Sequence, residues 1–382
     1  MSERCGKWGW RVWGILAILG AIGVFQRFAF GHQLAAYGSL VPWGLWVAAY
    51  IYFVGLSAGA FLLSSLVYVF KVKALESMGR LALVTAVITL FMALVSIWFD
   101  IGHMERFWYV FLRPNFGSMM AWMIWMYTAY FLLLLAELKL AFQPGSLKRD
   151  RLLSLLGSVG VPLAIAFHGG VGALFAVVGA RPYWHTGLFP ILFLSGALTS
   201  GGALLLAVVA LRWPEKGESH GRLVKLLSKI TLGLLLFDLL LEWAEISVPL
   251  WGGTAYHTEG LKLMLFGPFW WVFWIFHLFL GSLLPIWLLV RFPTDTQKAG
   301  WAGALIAVLF MSVRLNIVIP GLAVPILPGL DQAVLNPRLT ASYVPSLHEW
   351  LVLAFVVALG LGMFGVSRKF LNLYEKTAEA PR

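Results

Sequence analysis

The stretch "LALVTAVITLFMALVSIWF" runs from 81 to 99 without a charged side chain. As a helix it would extend about 28 Å at ~1.5 Å per residue, close to the ~30 Å hydrocarbon core of a bilayer. Comparable runs recur near 12–26, 43–70, 118–142, 153–178, 188–211, 226–250, 266–290, 299–320 and 346–367. An outer-membrane barrel would need short alternating strands instead. The chain is 60% hydrophobic and only 12% charged, with a mean hydropathy of +0.85, against roughly 25% charged residues in a soluble domain. These features predict an all-α, polytopic integral membrane protein of about ten transmembrane helices.

Alternating the spans across the bilayer divides the charges unevenly. Of the 28 Lys and Arg, 21 fall on one side, including Lys71, Lys73, Arg80, Lys148, Arg149, Arg151, Arg212, Lys225 and Arg368, and 7 on the other. The richer side is expected to be cytoplasmic, which puts both termini there and the protein in a prokaryotic cytoplasmic membrane. The net charge of +11 is therefore topology, not a nucleic-acid site. No small-residue cleavage pattern follows the apolar run 12–24, so it reads as an uncleaved anchor. One cysteine, Cys5, cannot hold an iron–sulfur cluster, and no C-x-x-C-H exists for covalent haem.

The outer loops are the decorated ones: "IGHMERFWYVFLRPNF" (101–116), "GARPYWHTG" (179–187), "WGGTAYHTEG" (251–260) and the proline-rich 320–346. Five prolines in the last are expected to exclude regular helix from it. His32, His103, His185, His257 and His348 map to this face or its border, His220 to the other, and His168 and His277 to span interiors. "VGLSAGAFLLSSL" (54–66) and "SGALTSGGALLL" (195–206) are matching small-residue clusters, of the kind that lets membrane helices approach closely. Their spacing suggests a single membrane domain made of two helical bundles, 43–178 and 188–320, flanked by 12–26 and 346–367.

Inside "FDLLLEWAEI" (237–246), Asp238, Glu242 and Glu245 stand at i, i+4 and i+7, on one face of the seventh span. They cover about 10 Å along the axis, and Glu242 lies roughly 12 Å below the outer end. Each ionised carboxylate at such depth costs about 2.5 kcal/mol or more, so burial keeps all three from ionising together. Such a column suits proton hopping; helix–helix glue is the alternative. Asp100 ends the third span, His168 and His277 lie within spans, and Arg314 requires an acid among Glu242, Glu245 or Glu349. Jointly these residues predict a polar pocket in the outer half of the membrane. A quinone would need an apolar slot, hydrogen bonds to its carbonyls and a proton-exchanging group. His168 or Tyr50 could bond its ring while Asp100, Glu242 or Glu245 moves protons; His277 and Arg314 complete the candidate lining.

"VPWGLWVAAYIYFVGLSAGAFLLSSL" (41–66), "FDIGHMERFWYVFLRPNFGSMMAWMIW" (99–125), "FHGGVGALFAVVGARPYWHTGLFPILFL" (167–194), "RLNIVIPGLAVPILPGLDQ" (314–332) and "YVPSLHEW" (343–350) resemble the NrfD-like family of polysulfide-reductase-type membrane subunits. The length is closest to its long branch, with the HybB-like hydrogenase and DsrP-like sulfur-metabolism subunits. The resemblance implies a haem-free site for menaquinone or another quinone near the outer face. It also implies a ferredoxin-like iron–sulfur partner, with further catalytic or cytochrome subunits, and no cluster in this chain. Asp100 matches the Asp of the family's D-x-G motif, and His168 falls near a ring lining the quinone pocket. His103 and Met104 stand where many members have Arg-Pro, and Met119 where they have the Pro of S-P-M.

Two other functions fit parts of this pattern. The carboxylate column suits a transporter or proton-conducting subunit, and His168 with His277 would be the ligand pair of a b-type cytochrome anchor. The quinone reading expects no Soret band from the purified protein; a stoichiometric one by redox spectroscopy would replace it with the cytochrome reading.

Overall fold

The computed structural model describes residues 2–214, 216–253, 255–327, 329–330 and 338–374, and the side chains among them except those of 2–8 and 255–257. His257 and Cys5 therefore lie outside the described side chains, as do 331–337 of the proline-rich loop. Twelve α-helices are present among the described residues: α1 (Ser2–Phe30), α2 (Leu45–Tyr68), α3 (Gly79–Asp100), α4 (Tyr109–Leu112), α5 (Met119–Ala141), α6 (Leu147–Ala176), α7 (Phe189–Arg212), α8 (Glu218–Gly252), α9 (Ala255–Leu265), α10 (Leu284–Arg291), α11 (Thr296–Ala323) and α12 (Leu347–Phe370). A π-helical segment, Val272–Leu283, leads into α10.

Nine of the described helices are long and apolar enough to cross a membrane. The 35-residue α8 falls outside that set because of its charges, yet its contacts place it across the same thickness. Near its start, His220 bonds the carbonyl of Val209 at the end of α7. Near its far end, Glu245 accepts from Thr186 in the α6–α7 loop. The long loops gather at that second end, where Arg27 reaches the carbonyls of Phe99 and Ile101 and Tyr37 reaches Asp100. The short connections gather at the first, where Arg80 bonds Ala141 and Tyr374 bonds Arg212. The protein is thus a polytopic helical membrane protein.

α2 packs on α3 and α6, and α5 packs on α3 and α6; α11 packs on α7, α8, α10 and the π-segment. α1 and α12 pair with each other, α12 lying against α3. The two small-residue clusters meet where α2 crosses α7. A methyl group at Gly59 would lie 1.9 Å from the Ala197 carbonyl oxygen, and one at Gly201 would lie 2.7 Å from the Gly59 backbone. Only hydrogen fits at this crossing, which is the close backbone approach that small residues permit.

Pro320 does not open the loop, contrary to expectation. α11 continues through it to Ala323. A proline inside a helix leaves the carbonyl four residues earlier, here Asn316, without its N–H. The Tyr183 hydroxyl donates to that carbonyl at 2.9 Å, and Trp184 Nε1 donates to the carbonyl of Ile317 at 2.7 Å. Arg181 donates to the carbonyls of Leu322 and Val324 at the helix end. Gly321 leaves room for the indole, since a methyl group there would meet Trp184 Nε1 at 2.0 Å. One loop, 181–184, thereby replaces the hydrogen bond that the proline removes and holds further carbonyls of the last turns.

The α2–α7 crossing yields the first structural test. Gly59→Leu should cost about 3 kcal/mol or more, beyond ordinary overpacking because the obstacle is backbone. Gly233→Leu, at a position with no neighbour within 4 Å, should leave stability unchanged. Thermal unfolding in detergent compares them.

Candidate functional site

The predicted polar residues divide between two clusters and a few separate positions. The first cluster joins the loop-rich ends of α1, α2, α3 and α12. Arg27, 2% exposed, donates through Nε to the carbonyl of Phe99 and through Nη2 to Ile101, both at 2.8 Å. Nη2 also meets His32 Nε2 at 3.1 Å. Burial and the Arg27 charge lower the His32 pKa, so the imidazole is available as an acceptor. Tyr37 donates to Asp100 Oδ1 at 2.7 Å. Glu349, fully buried, accepts from the Tyr343 hydroxyl, from Ala36 N at 3.1 Å and from Ser346 N at 2.9 Å. Tyr343 in turn accepts from Leu45 N at 2.8 Å. Burial, with the charges of nearby carboxylates, pushes the Tyr37 and Tyr343 hydroxyls upward, which keeps both as donors. Nearly every strong donor and acceptor here has a partner.

The second cluster lies among α7, α8, the π-segment and α11. Glu242 Oε2 and His277 Nε2 are 2.7 Å apart, with 12% and 6% of their side chains exposed. His277 stands on the π-segment, whose widened turn is supported by Ser282 Oγ donating to the His277 carbonyl at 3.0 Å. Such turns are rare and concentrate at functional sites. Asp238 is 2% exposed and its Oδ1 has no partner. Glu245 sits nearer the loop-rich end, held by Thr186 at 3.1 Å.

Of the three acids expected to face Arg314, one does so. It is 1% exposed, and its guanidinium lies 4.5 Å from the Phe193 ring centre and 5.3 Å from that of Phe310. Its Nε and Nη2 have no hydrogen-bond partner. The carboxylates that act on it electrostatically are Asp238 and Glu242. Glu349 is held in the first cluster and Glu245 by Thr186, so neither is its partner. Two aromatic faces supply much of the compensation for this buried cation.

His168 is wholly buried, with both ring nitrogens unpartnered and Phe193 6.2 Å away. Tyr50 lies elsewhere, donating to Tyr127 at 2.6 Å, and Asp100 belongs to the first cluster. The eight candidate residues therefore do not form one pocket.

A cleft does open beside the second cluster. It is lined by Glu242, Glu245, His277, Asn316 and Tyr183, with apolar walls from Phe189, Leu192, Ile246, Leu261, Met264, Phe273, Val313 and Ile317. Its empty space, counted out to the open mouth, is about 420 Å³. A mostly apolar wall with a few convergent polar groups is the usual chemistry of small-molecule sites. That combination fits a flat, lipophilic ring with polar edges. His168, Tyr50 and Arg314 do not line it. Asn316, Tyr183 and Thr186 were not picked out from the sequence. Among the described residues no group of three or more His, Cys, Asp or Glu is arranged as metal ligands.

The family model for "Polysulphide reductase, NrfD" matches residues 33–326. The chain belongs to the NrfD family. It is 34% identical to a selenate reductase subunit of Mesobacillus selenatarsenatis, over 96% of this chain and 94% of that protein. It is 30% identical to the Hdr-like menaquinol oxidoreductase integral membrane subunit of Archaeoglobus fulgidus, over 95% and 93%. It is 22% identical to the menaquinone reductase integral membrane subunit of Nitratidesulfovibrio vulgaris, over 100% and 96%. Membership of the family suggested by the sequence motifs is thus established across nearly the whole chain.

The first cluster makes its own prediction. Tyr343→Phe leaves Leu45 N and Glu349 Oε1 each short of a partner, at about 1–3 kcal/mol per buried unsatisfied group. Thermal unfolding of the purified protein in detergent should register that loss.

Proposed function

We propose that this chain is the quinone-reactive membrane subunit of a respiratory oxidoreductase complex, and that the cleft between α8, the π-segment and α11 receives the quinone head group. The observation that carries this reading is the Glu242–His277 pair, 2.7 Å apart, at the edge of an apolar cleft. The names of the archaeal and sulfate-reducer relatives support a menaquinone-type ring. When bound, the quinone supplies two-electron chemistry coupled to proton exchange.

The protein's own residues perform the remaining tasks. Phe273, Leu192 and Ile317 exclude water from the ring. The short Glu242–His277 hydrogen bond holds one proton between Oε2 and Nε2, within reach of the cleft. Glu245, one turn nearer the loop-rich end and bonded to Thr186, links that pair to the aqueous face. Asp238, one turn deeper on α8, extends the acidic face into the bilayer and opposes the Arg314 charge. Proton exchange through Glu242 and Glu245 thus belongs to this proposal.

The loop-rich end, poor in Lys and Arg, is taken as the outer face and both termini as cytoplasmic. A ferredoxin-like iron–sulfur subunit would dock at that end, because the cleft must exchange electrons with a group outside this chain. Electrons would reach a terminal reductase or come from a dehydrogenase through such a partner.

Glu242→Gln and His277→Ala should each slow quinone turnover by the assembled complex at least ~100-fold, the scale of a lost acid–base group. The double variant should be no slower than the worse single one, because the two residues act as a unit. Steady-state turnover in membranes, with the amount of assembled complex measured by immunoblotting, checks this. Wild-type turnover in both single variants would exclude the cleft.

A further inference from the structure

Asn316 is the one polar, non-titrating side chain that α11 contributes to the cleft. It is 5% exposed, and its Nδ2 has no hydrogen-bond partner among the described residues. A buried amide donor left without an acceptor is destabilising, so its retention in an apolar wall calls for an acceptor that arrives from outside the chain. The backbone around it is fixed independently of the side chain. Pro320 removes the N–H that would serve the Asn316 carbonyl, and the Tyr183 hydroxyl takes that place at 2.9 Å. The next carbonyl is held by Trp184 at 2.7 Å. The amide is therefore presented from a clamped turn.

We propose that Asn316 Nδ2 is the neutral hydrogen-bond donor that seats a carbonyl oxygen of the bound ring, with Tyr183 as the residue that positions it. This inference rests on the cleft being the quinone site, and it divides the labour there. Glu242 and His277 exchange the proton, while Asn316 contributes binding that is equal in the ground and transition states. Uniform binding of that kind changes KM without changing kcat.

The test uses the assembled complex, with 2-heptyl-4-hydroxyquinoline N-oxide as the binding probe, read by quenching of its fluorescence, and a water-soluble menaquinone analogue for turnover. Asn316→Leu should weaken probe binding and raise KM about tenfold, with kcat within twofold of wild type. Asn316→Gln, which keeps an amide donor, should recover part of both. Tyr183→Phe, which removes the hydroxyl that holds the Asn316 carbonyl, should weaken binding less than Asn316→Leu.

Unchanged binding and KM in Asn316→Leu, with turnover still lost in Glu242→Gln, would overturn the role of Asn316 and leave the cleft in place. Unchanged behaviour in both variants would overturn the cleft reading as well. If Asn316→Leu does not assemble, photolabelling of the wild-type complex with an azidoquinone decides. Label on 313–317 of α11 supports the assignment, and label confined to other helices overturns it.

Discussion

Inside hydrocarbon a polar atom can bond only to protein, to trapped water or to a ligand, and every other property of this molecule follows from how that constraint is met. The backbone meets it by remaining helical. Where the helix cannot supply the bond, as at Pro320, a loop from another part of the chain supplies it through Tyr183 and Trp184. The proline thus does more than bend α11. It fixes the 181–184 loop against the helix, and that loop brings Tyr183 to the edge of the cleft and Thr186 to Glu245.

The same constraint separates two clusters with similar ingredients. Around Glu349 the carboxylate receives a phenol and two backbone N–H groups, and the Arg27 guanidinium is used up on two carbonyls and His32. Such saturation is how buried polar networks rigidify a fold. Here it binds the peripheral α1–α12 pair to α2 and α3. Around Glu242 the bonding is incomplete: Asp238 Oδ1, two Arg314 nitrogens and Asn316 Nδ2 have no hydrogen-bond partner among the described residues. A half-satisfied network is a poor structural device, so the residues that maintain it are better explained by a visitor.

Much of the architecture was legible in the sequence because bilayer thickness sets the length of an apolar run. The acidic face of α8 was legible too, since three carboxylates at helical spacing in an apolar stretch have few ordinary explanations. The partners were not. Arg314 had been matched to carboxylates alone, because a sequence shows charges but not the rings of Phe193 and Phe310 that also flank it. The π-segment was invisible for a similar reason: "VFWIFHLFLGSL" has no composition that separates it from an α-helix, and its wider turn is a response to packing. Asn316 could have been found, since it stands two residues after Arg314 in an apolar run and obeys the same rule. Tyr50 pairs with Tyr127 of α5, whereas His168 approaches the Phe193 ring that also flanks Arg314, and no pattern along the chain reveals that difference.

The division of polar residues also bears on why the acids sit on α8 rather than on a peripheral helix. α8 packs against α7 and α11, while its other face, with Leu240, Trp243 and Val248, is exposed. In a bilayer that exposed face meets lipid tails. A hydrophobic molecule dissolved among those tails would then approach along the same helix that carries Glu242 on its inner side. A carboxylate on the exposed face of α1 would meet lipid directly and would have to be neutral or drawn to the interface, whereas one on α2 lies too deep in the bundle to be reached. Only a helix at the boundary between lipid and bundle can offer a buried acid to a membrane-soluble partner, and α8 occupies that boundary.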